Sequence, residues 1–469
     1  MRLLPLLAAL LTVPMALPAA AAPDPSGEGE PAFRALFKEL IETNTEHSVG
    51  SCSLAAQQIS ARLKAAGYTD ADIHLFAPDS APKDGGVVAT LAGSDLKAKA
   101  VLLMAHLDVV EAKRADWTRD PFTLYEENGQ FYGRGVADDK GEAAIFADLM
   151  IRYKQEGYRP RHTIKLALTC GEETEGVFNG AQWLSTTHKD WIDAGLALNE
   201  GIFGQLDANG KRFTFDMEAA EKVYQDFTLE TVNPGGHSSL PRPDNAIDEM
   251  ATALLKVQTY EFPVQLNDAT RGYFTGMAKI VGGEDGAAMT AIVADPNDKA
   301  ADARLSKNTR WHALLRTTCV ATMIDGGHAL NALPQSVKAN INCRMMPGTK
   351  AESVLATLAS VVDDAKVKVS LHGDVSPGTS APPLGPDVMG PITQAAADVY
   401  PGTPVLPGME TGASDQIYTT AAGIPTYGIY GFFEGEDQGN IHGLNEHVGV
   451  QSLMDGRRFF YKLVKLYTQ

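Results

Sequence analysis

The residues with the most chemical potential stand in short, widely spaced clusters. His106 and Asp108 are two apart at the end of an apolar run, and on a strand positions i and i+2 point the same way. At that spacing a carboxylate can hydrogen-bond the second nitrogen of a metal-bound imidazole, which fixes its tautomer and raises its basicity. Asp138 follows the glycine-rich turn Gly133-Arg-Gly-Val-Ala, Glu172 and Glu173 are adjacent, Glu200 follows Leu196-Ala-Leu-Asn, and His442 supplies a second imidazole. Glu172 and Glu173 are expected to diverge, so that one binds a cation while the other faces the reacting group. Imidazole plus carboxylate without thiolate suits zinc, with cobalt or manganese as substitutes. Taken singly, each of these residues reads more readily as a polar loop side chain; their occurrence together is what points to a metal centre.

The elements that must position them follow an α/β rhythm. Apolar periodicity predicts helices near 31–44, 54–66, 142–153 and after Gly180, and strands near 72–76, 86–91, 99–106, 162–170 and 194–199. Alternating strands and helices imply a mostly parallel sheet covered on both faces, and ligands of such sheets gather beyond the carboxyl ends of the strands. His106, Glu172, Glu173 and Glu200 all fall at those ends. From Val223 the order becomes βαββαβ, the split arrangement of a small antiparallel, ferredoxin-like sheet backed by two helices. We expect an inserted domain over 222–376 between two parts of a catalytic domain, 27–221 and 377–469, with 260–315 extra to either pattern. A strand near 425–430 and a closing helix over 450–467 complete the first domain.

With 469 residues, a prior of about 150 residues per domain suggests two or three units. The first 21 residues join one early positive charge to an apolar segment ending in small residues. This pattern predicts a cleaved signal peptide and a secreted, periplasmic destination. No later stretch is apolar for long enough to span a bilayer. Against 40 Lys and Arg stand 58 Asp and Glu, a formal charge of −18, which disfavours nucleic acid and anionic membranes as partners. Four cysteines cannot be a disulfide framework in a chain of this size. Cys319 and Cys343 lie on consecutive predicted strands and could pair, whereas Cys52 and Cys170 read as small buried residues.

In order along the chain stand HLDVV (His106–Val110), GRGVADDKG (Gly133–Gly141), CGEETEG, NEG (Asn199–Gly201), GGHSSLP (Gly235–Pro241), NALPQ (Asn331–Gln335), CRMMPG (Cys343–Gly348) and IHGLNEH (Ile441–His447). The set resembles the dizinc peptidase and amidohydrolase family of carboxypeptidase S, glutamate carboxypeptidase, aminoacylase, carnosinase and succinyl-diaminopimelate desuccinylase, over nearly the whole mature chain. The resemblance implies a mostly parallel catalytic domain with an inserted lid and dimerisation domain, and two zinc ions per chain. It makes Asp138 the bridging ligand, with His106 and Glu200 completing one site and Glu173 and His442 the other; Asp139 is not expected to bind metal. It gives Asp108 the orientation of His106, Glu172 the proton transfer, and His237 the polarisation of the scissile carbonyl, commonly in a partner subunit's site. Asn331, Arg344 and the Gly412-Ala413-Ser414 backbone are implied to hold substrate, Arg344 by a bidentate grip on a free carboxylate. Two departures, Gly171 before the glutamate pair and Ala332 after Asn331, remove no ligand.

These expectations together describe an exported hydrolase of an amide bond next to a free C-terminal carboxylate, of carboxypeptidase or dipeptidase type, acting on small peptides. The alternatives are an N-acyl-amino-acid deacylase and a non-catalytic metal-binding or peptide-binding protein on the same scaffold. The latter has no use for Glu172.

Overall fold

The computed structural model describes residues 24–469 except Glu175; the predicted signal peptide lies outside the described residues. Helices α1 (Glu30–Glu42) and α2 (Cys52–Ala65) precede strands β1 (Ile73–Phe76), β2 (Gly86–Leu91) and β3 (Val101–His106). A hairpin of β4 (Tyr125–Glu127) and β5 (Gln130–Tyr132) leads to α3 (Lys140–Gln155), β6 (Ile164–Thr169), α4 (Gly180–Thr187), α5 (Lys189–Ile192), β7 (Leu196–Leu206) and β8 (Arg212–Glu221). Next come β9 (Val223–Val232), β10 (Gly236–His237), α6 (Ala246–Thr259), α7 (Asp268–Val281), α8 (Gly283–Ala294), α9 (Lys299–Leu305) and α10 (Thr309–Leu315). They are followed by β11 (Thr318–Gly326), β12 (Ala332–Leu333), β13 (Ser336–Met345), α11 (Ala351–Val362) and β14 (Val367–His372). The chain closes with α12 (Pro386–Val399), β15 (Val405–Glu410), α13 (Gln416–Ala421), β16 (Thr426–Glu434), β17 (His447–Gly449) and α14 (Val450–Thr468).

The central sheet has the order β1-β2-β6-β3-β7-β16-β8-β15. Its middle is parallel, β6 with β3, β3 with β7 and β7 with β16, while β1 and β2 run antiparallel at one side. Strand β3 explains the double coverage. All six of its residues are buried, with Val101, Leu103 and Ala105 in the large core under α1, α3 and α14, and Leu102 and Met104 in the smaller core under α4 and α5. A run apolar at every position is what period-2 alternation requires when both faces are covered.

The second sheet is antiparallel, in the order β11-β13-β9-β14, and packs on α6 and α11 around a separate core that includes Phe227, Met250, Ile341 and Leu358. Its elements are the predicted βαββαβ set. Residues 260–315, unplaced by the sequence, form α7 to α10, and their apolar side chains, Phe274, Met289, Ile292 and Leu305 among them, join the core of the central sheet. Helix α7 lies along β15, where Gly272 and Gly276 let it approach Pro407 and Leu406. It thereby covers the outermost strand of the sheet, whose side would otherwise be open.

Cys319 and Cys343 are directly paired in the β11–β13 register and form a disulfide. The expectation that Cys52 and Cys170 are unpaired is overturned: they too form a disulfide, across 118 residues of sequence. The fold brings the start of α2 against the segment leaving β6, a proximity that spacing along the chain cannot reveal.

Candidate active site

Strands β3 and β6 run parallel with His106 opposite Thr169, so the segment leaving β6 carries Glu172 and Glu173 past the His106 ring. The turn there depends on Gly171, whose φ is +96° and where a Cβ would sit 2.0 Å from the Phe178 carbonyl oxygen. Glu200 was expected at the end of a strand; instead β7 continues to Leu206, and its pairing with β16 skips at Glu200 and Gly201 between Asn199 opposite Gly428 and Ile202 opposite Ile429. Gly201 is needed because a Cβ would meet the Gly428 backbone at 2.4 Å. The irregularity delivers Glu200 to the site from within a strand, as bulges commonly do.

Asp138 stands between the two imidazoles. Its Oδ1 is 3.1 Å from His106 Nε2 and its Oδ2 is 3.2 Å from His442 Nε2. Glu200 Oε2 is 3.5 Å from His106 Nε2, and Glu173 Oε2 is 2.9 Å from His442 Nε2. Two triads result, His106–Asp138–Glu200 and His442–Asp138–Glu173, the ligand atoms of each within 4.8 Å of one another. Glu172 offers an oxygen within the same distance of His106 and Glu173, so the paired glutamates diverge less than expected. His106 is sealed in, at 1% exposure, whereas the His442 side chain is 55% exposed, so the site opens on the His442 side.

The donor set suits a cation. His106 Nδ1 lies 3.0 Å from the Asp108 backbone carbonyl, which cannot donate, so Nδ1 carries the proton and the lone pair of Nε2 faces Asp138 and Glu200. An acceptor surrounded by acceptors needs a proton or a metal ion between them. Glu200 Oε1 is buried without a hydrogen-bond partner, although Tyr430 donates to Oε2 at 3.2 Å. The role expected of the Asp108 side chain is shared: the backbone carbonyl takes the hydrogen bond, and carboxylate Oδ1 stands 3.6 Å from Nδ1. Asp108 Oδ2 instead accepts the Glu173 N–H at 3.0 Å, tying the glutamate pair to β3.

The electrostatics are those of an uncompensated acidic cluster. Burial, followed by the charge of Glu200, drives Glu172 well above the ordinary carboxyl range. Burial and Asp138 raise Glu173 to about 7. Hydrogen bonds to Asp138 and Glu173 raise His442 to about 10. Burial alone would lower His106, but Glu200, Asp108 and Asp138 outweigh it and push the ring upward. Without a cation the cluster thus retains protons; a divalent ion in each triad would neutralise the same charge.

Other expected residues lie elsewhere. His237 lies in β10 of the β10–β12 ribbon, opposite Ala332, and Asn331 directly precedes β12; both are exposed. Among the described residues no hydrogen bond or ion pair joins His237 to the acidic cluster. Its Nδ1 accepts the Ser239 backbone N–H at 3.1 Å, so in the neutral ring Nε2 carries the proton and is a donor. Arg344, on β13, stacks over Tyr224 at 4.7 Å. In the 412–414 loop, the Gly412 amide donates to Glu410 at 3.2 Å and the Ser414 amide to Glu221 at 2.8 Å, so these two amides are already engaged. The buried Asp139 accepts weakly from the His106 amide at 3.4 Å.

Two residues were not singled out. Glu446 sits inside the IHGLNEH motif yet received no role; its carboxylate accepts the amides of Gly135, Ala137 and Asp138 at 2.9, 2.9 and 3.1 Å and pairs with Arg134 at 2.8 Å. Asp415 follows the 412–414 loop, is buried, and accepts from Asn179 at 2.7 Å and Thr169 at 3.2 Å. Asn179 also donates to the Gly171 carbonyl at 3.0 Å, so Asp415 props the turn that carries Glu172 and Glu173. The sequence signals were a place inside a motif for Glu446 and adjacency to the 412–414 loop for Asp415.

Residues 102–466 match the family model described as Peptidase family M20/M25/M40. The human N-fatty-acyl-amino acid synthase/hydrolase is 26% identical over 390 residues, covering 80% of this chain and 76% of that protein. Carboxypeptidase S of Saccharomyces cerevisiae is 25% identical over 428 residues, covering 81% and 73%. Among solved structures, an M20 family metallo-carboxypeptidase from Sulfolobus solfataricus superposes with a TM-score of 0.68 at 18% identity, covering 93% of this chain and 99% of that one.

Proposed function

As the chain belongs to peptidase family M20/M25/M40 and is a metal-dependent hydrolase, we propose that it holds two zinc ions and cleaves an amide bond next to a free C-terminal carboxylate. The observation that carries this reading is Asp138, with one oxygen toward each imidazole at 3.1 and 3.2 Å. His106 and Glu200 would hold one ion, His442 and Glu173 the other, and Asp138 both.

When bound, the ion pair would supply the positive charge that acidifies a water and stabilises a developing oxyanion. The protein's residues supply the rest. Glu172, not required as a ligand and set beside the His106 and Glu173 ligand atoms, is suited to take the proton of the attacking water and return it to the departing amine. Asp108, through its carbonyl and its hold on the Glu173 amide, keeps ring and glutamate pair in place. His237 Nε2–H is a donor for the carbonyl oxygen of a substrate. Because no hydrogen bond or ion pair joins His237 to the cluster among the described residues, it would reach a site by closure of the second unit or from a partner copy. Arg344 would grip the substrate carboxylate, and the 412–414 loop would contribute contacts beyond the amides already engaged.

The substrate we favour is a small peptide, as for carboxypeptidase S and dipeptidases of this fold. The second reading, an N-acyl amino acid, is favoured by the likeness to the human N-fatty-acyl-amino acid synthase/hydrolase. Both classes share an amide whose amine side bears a free carboxylate. Export to an oxidising compartment, the destination expected from the first 21 residues, agrees with the pairing of all four cysteines.

The deciding experiment is a hydrolysis screen of zinc-loaded protein against dipeptides, longer peptides and N-acyl amino acids, each with a free or amidated C-terminus. Activity abolished by chelation and by amidation is expected. Turnover indifferent to chelators would overturn the proposal.

A further inference from the structure

The loop that carries His442 leaves β16 after Glu434 and returns to β17 at His447. It is an unusual stretch of backbone. Gln438, Asn440, His442 and Asn445 all have φ between 49° and 60°, the left-handed region that costs energy for residues with a side chain. Something must hold such a loop at its base.

At that base stand Glu434, Asp437 and His447. A carboxylate oxygen of each acid and an imidazole nitrogen lie within 4.8 Å of one another. His447 Nδ1 is 3.3 Å from the Asn445 carbonyl oxygen, so Nδ1 is the protonated nitrogen and the lone pair of Nε2 faces Asp437 Oδ2 at 3.5 Å. This is the relation already seen at His106, with a backbone carbonyl on Nδ1 and carboxylates before Nε2. Glu434 is 5% exposed, and its Oε1 is buried without a hydrogen-bond partner. Among the described residues neither lysine nor arginine forms an ion pair with it. A buried carboxylate with an oxygen left without a hydrogen bond, in a cluster with an imidazole and a second carboxylate, leaves a site for positive charge.

We propose that Glu434, Asp437 and His447 form a further cation site, separate from the Asp138 centre, that takes a borderline divalent ion of the zinc class. Two carboxylates and one imidazole are a usual donor set for such an ion, with water in the remaining position on the exposed Asp437 side. The ion would join the two ends of the 435–446 loop and so hold His442 in place. The role is structural: Glu434, Asp437 and His447 are positioning residues, and none touches substrate.

The test uses the full chain, stripped with a chelator and reloaded with zinc alone. In crystals, an anomalous difference peak at the zinc edge is expected about 2 Å from His447 Nε2, apart from any density at Asp138. Density at Asp138 with none between Glu434, Asp437 and His447 would overturn the proposal. In solution, Asp437→Asn, at a half-exposed position where the fold is not at risk, and His447→Gln should each bind one zinc fewer per chain than the parent. An unchanged count in both would equally overturn it. The Asp138→Asn protein should retain this ion, which separates failure here from failure of the catalytic reading.

Discussion

The Glu446 carboxylate accepts the Asp138 backbone N–H at 3.1 Å across 308 residues of sequence. The same side chain takes the amides of Gly135 and Ala137 and the Arg134 guanidinium, and both charged groups are almost fully buried. Glu446 thus shapes the turn that presents Asp138 to both imidazoles, although it touches neither.

Removing its charge should be costly. In Glu446→Gln an amide NH2 confronts backbone N–H groups and Arg134 is left buried without a counter-charge, a change worth about 3–5 kcal/mol when one partner of a buried pair is lost. Equilibrium denaturation should show that loss together with weaker zinc retention. Wild-type stability in the variant would mean that the turn is held by other contacts.

Asp138→Asn is expected to empty both halves of the catalytic centre, because one residue faces both imidazoles. Glu200→Gln and Glu173→Gln should each weaken one half. Metal counting by mass spectrometry separates the cases, and an Asp138 variant that lost a single ion would contradict the bridging role.

For Glu172→Ala the expectation is retained metal with turnover lowered by about 10²–10⁴-fold, the range for loss of a positioned general base. Parallel metal analysis and steady-state kinetics suffice. Near-normal turnover would assign the proton transfer elsewhere.

His237→Ala should reduce kcat while leaving the metal content intact, since no hydrogen bond or ion pair joins the ring to the acidic cluster among the described residues. If a partner copy supplies His237, mixing this variant with Glu172→Ala should restore activity through mixed dimers. Loss of metal in His237→Ala would make His237 a ligand instead.

Cation-free protein should be most stable on the acid side. Burial is the chief cause that raises Glu221 to about 8, Asp415 to about 7 and Asp216 to about 6, whereas unfolded carboxyls titrate near 4. Between those values the folded chain binds more protons than the unfolded one, so the unfolding free energy falls as pH rises. Above about 7 Lys140 and Lys222, lowered by burial to about 7, contribute with the opposite sign, while His442, raised to about 10 by Asp138 and Glu173, extends the decline. Thermal melts of chelated protein should therefore decline from pH 4.5 to 7. A steady rise over that range would show that the buried acids stay ionised.

The α/β rhythm of the first part, the βαββαβ order of the second and the identity of the clustered histidines and acids were legible in the sequence itself, whereas 260–315 was not. Periodicity records which faces are buried, as in Val101–His106, and short motifs record which groups chemistry needs. What chain order could not encode is contact between distant segments. Only the tertiary structure decided that Cys52 meets Cys170, that α7 covers β15, that Glu200 emerges from a break within β7, and that Glu446 and Asp415 brace the site from behind. It also divided the hold on His106 between the Asp108 backbone carbonyl at 3.0 Å and its carboxylate at 3.6 Å, a division that depends on ångström-scale geometry. The physical reason is common to all of these: local pattern reports the environment a residue prefers, whereas its partner is settled by how whole layers of structure pack.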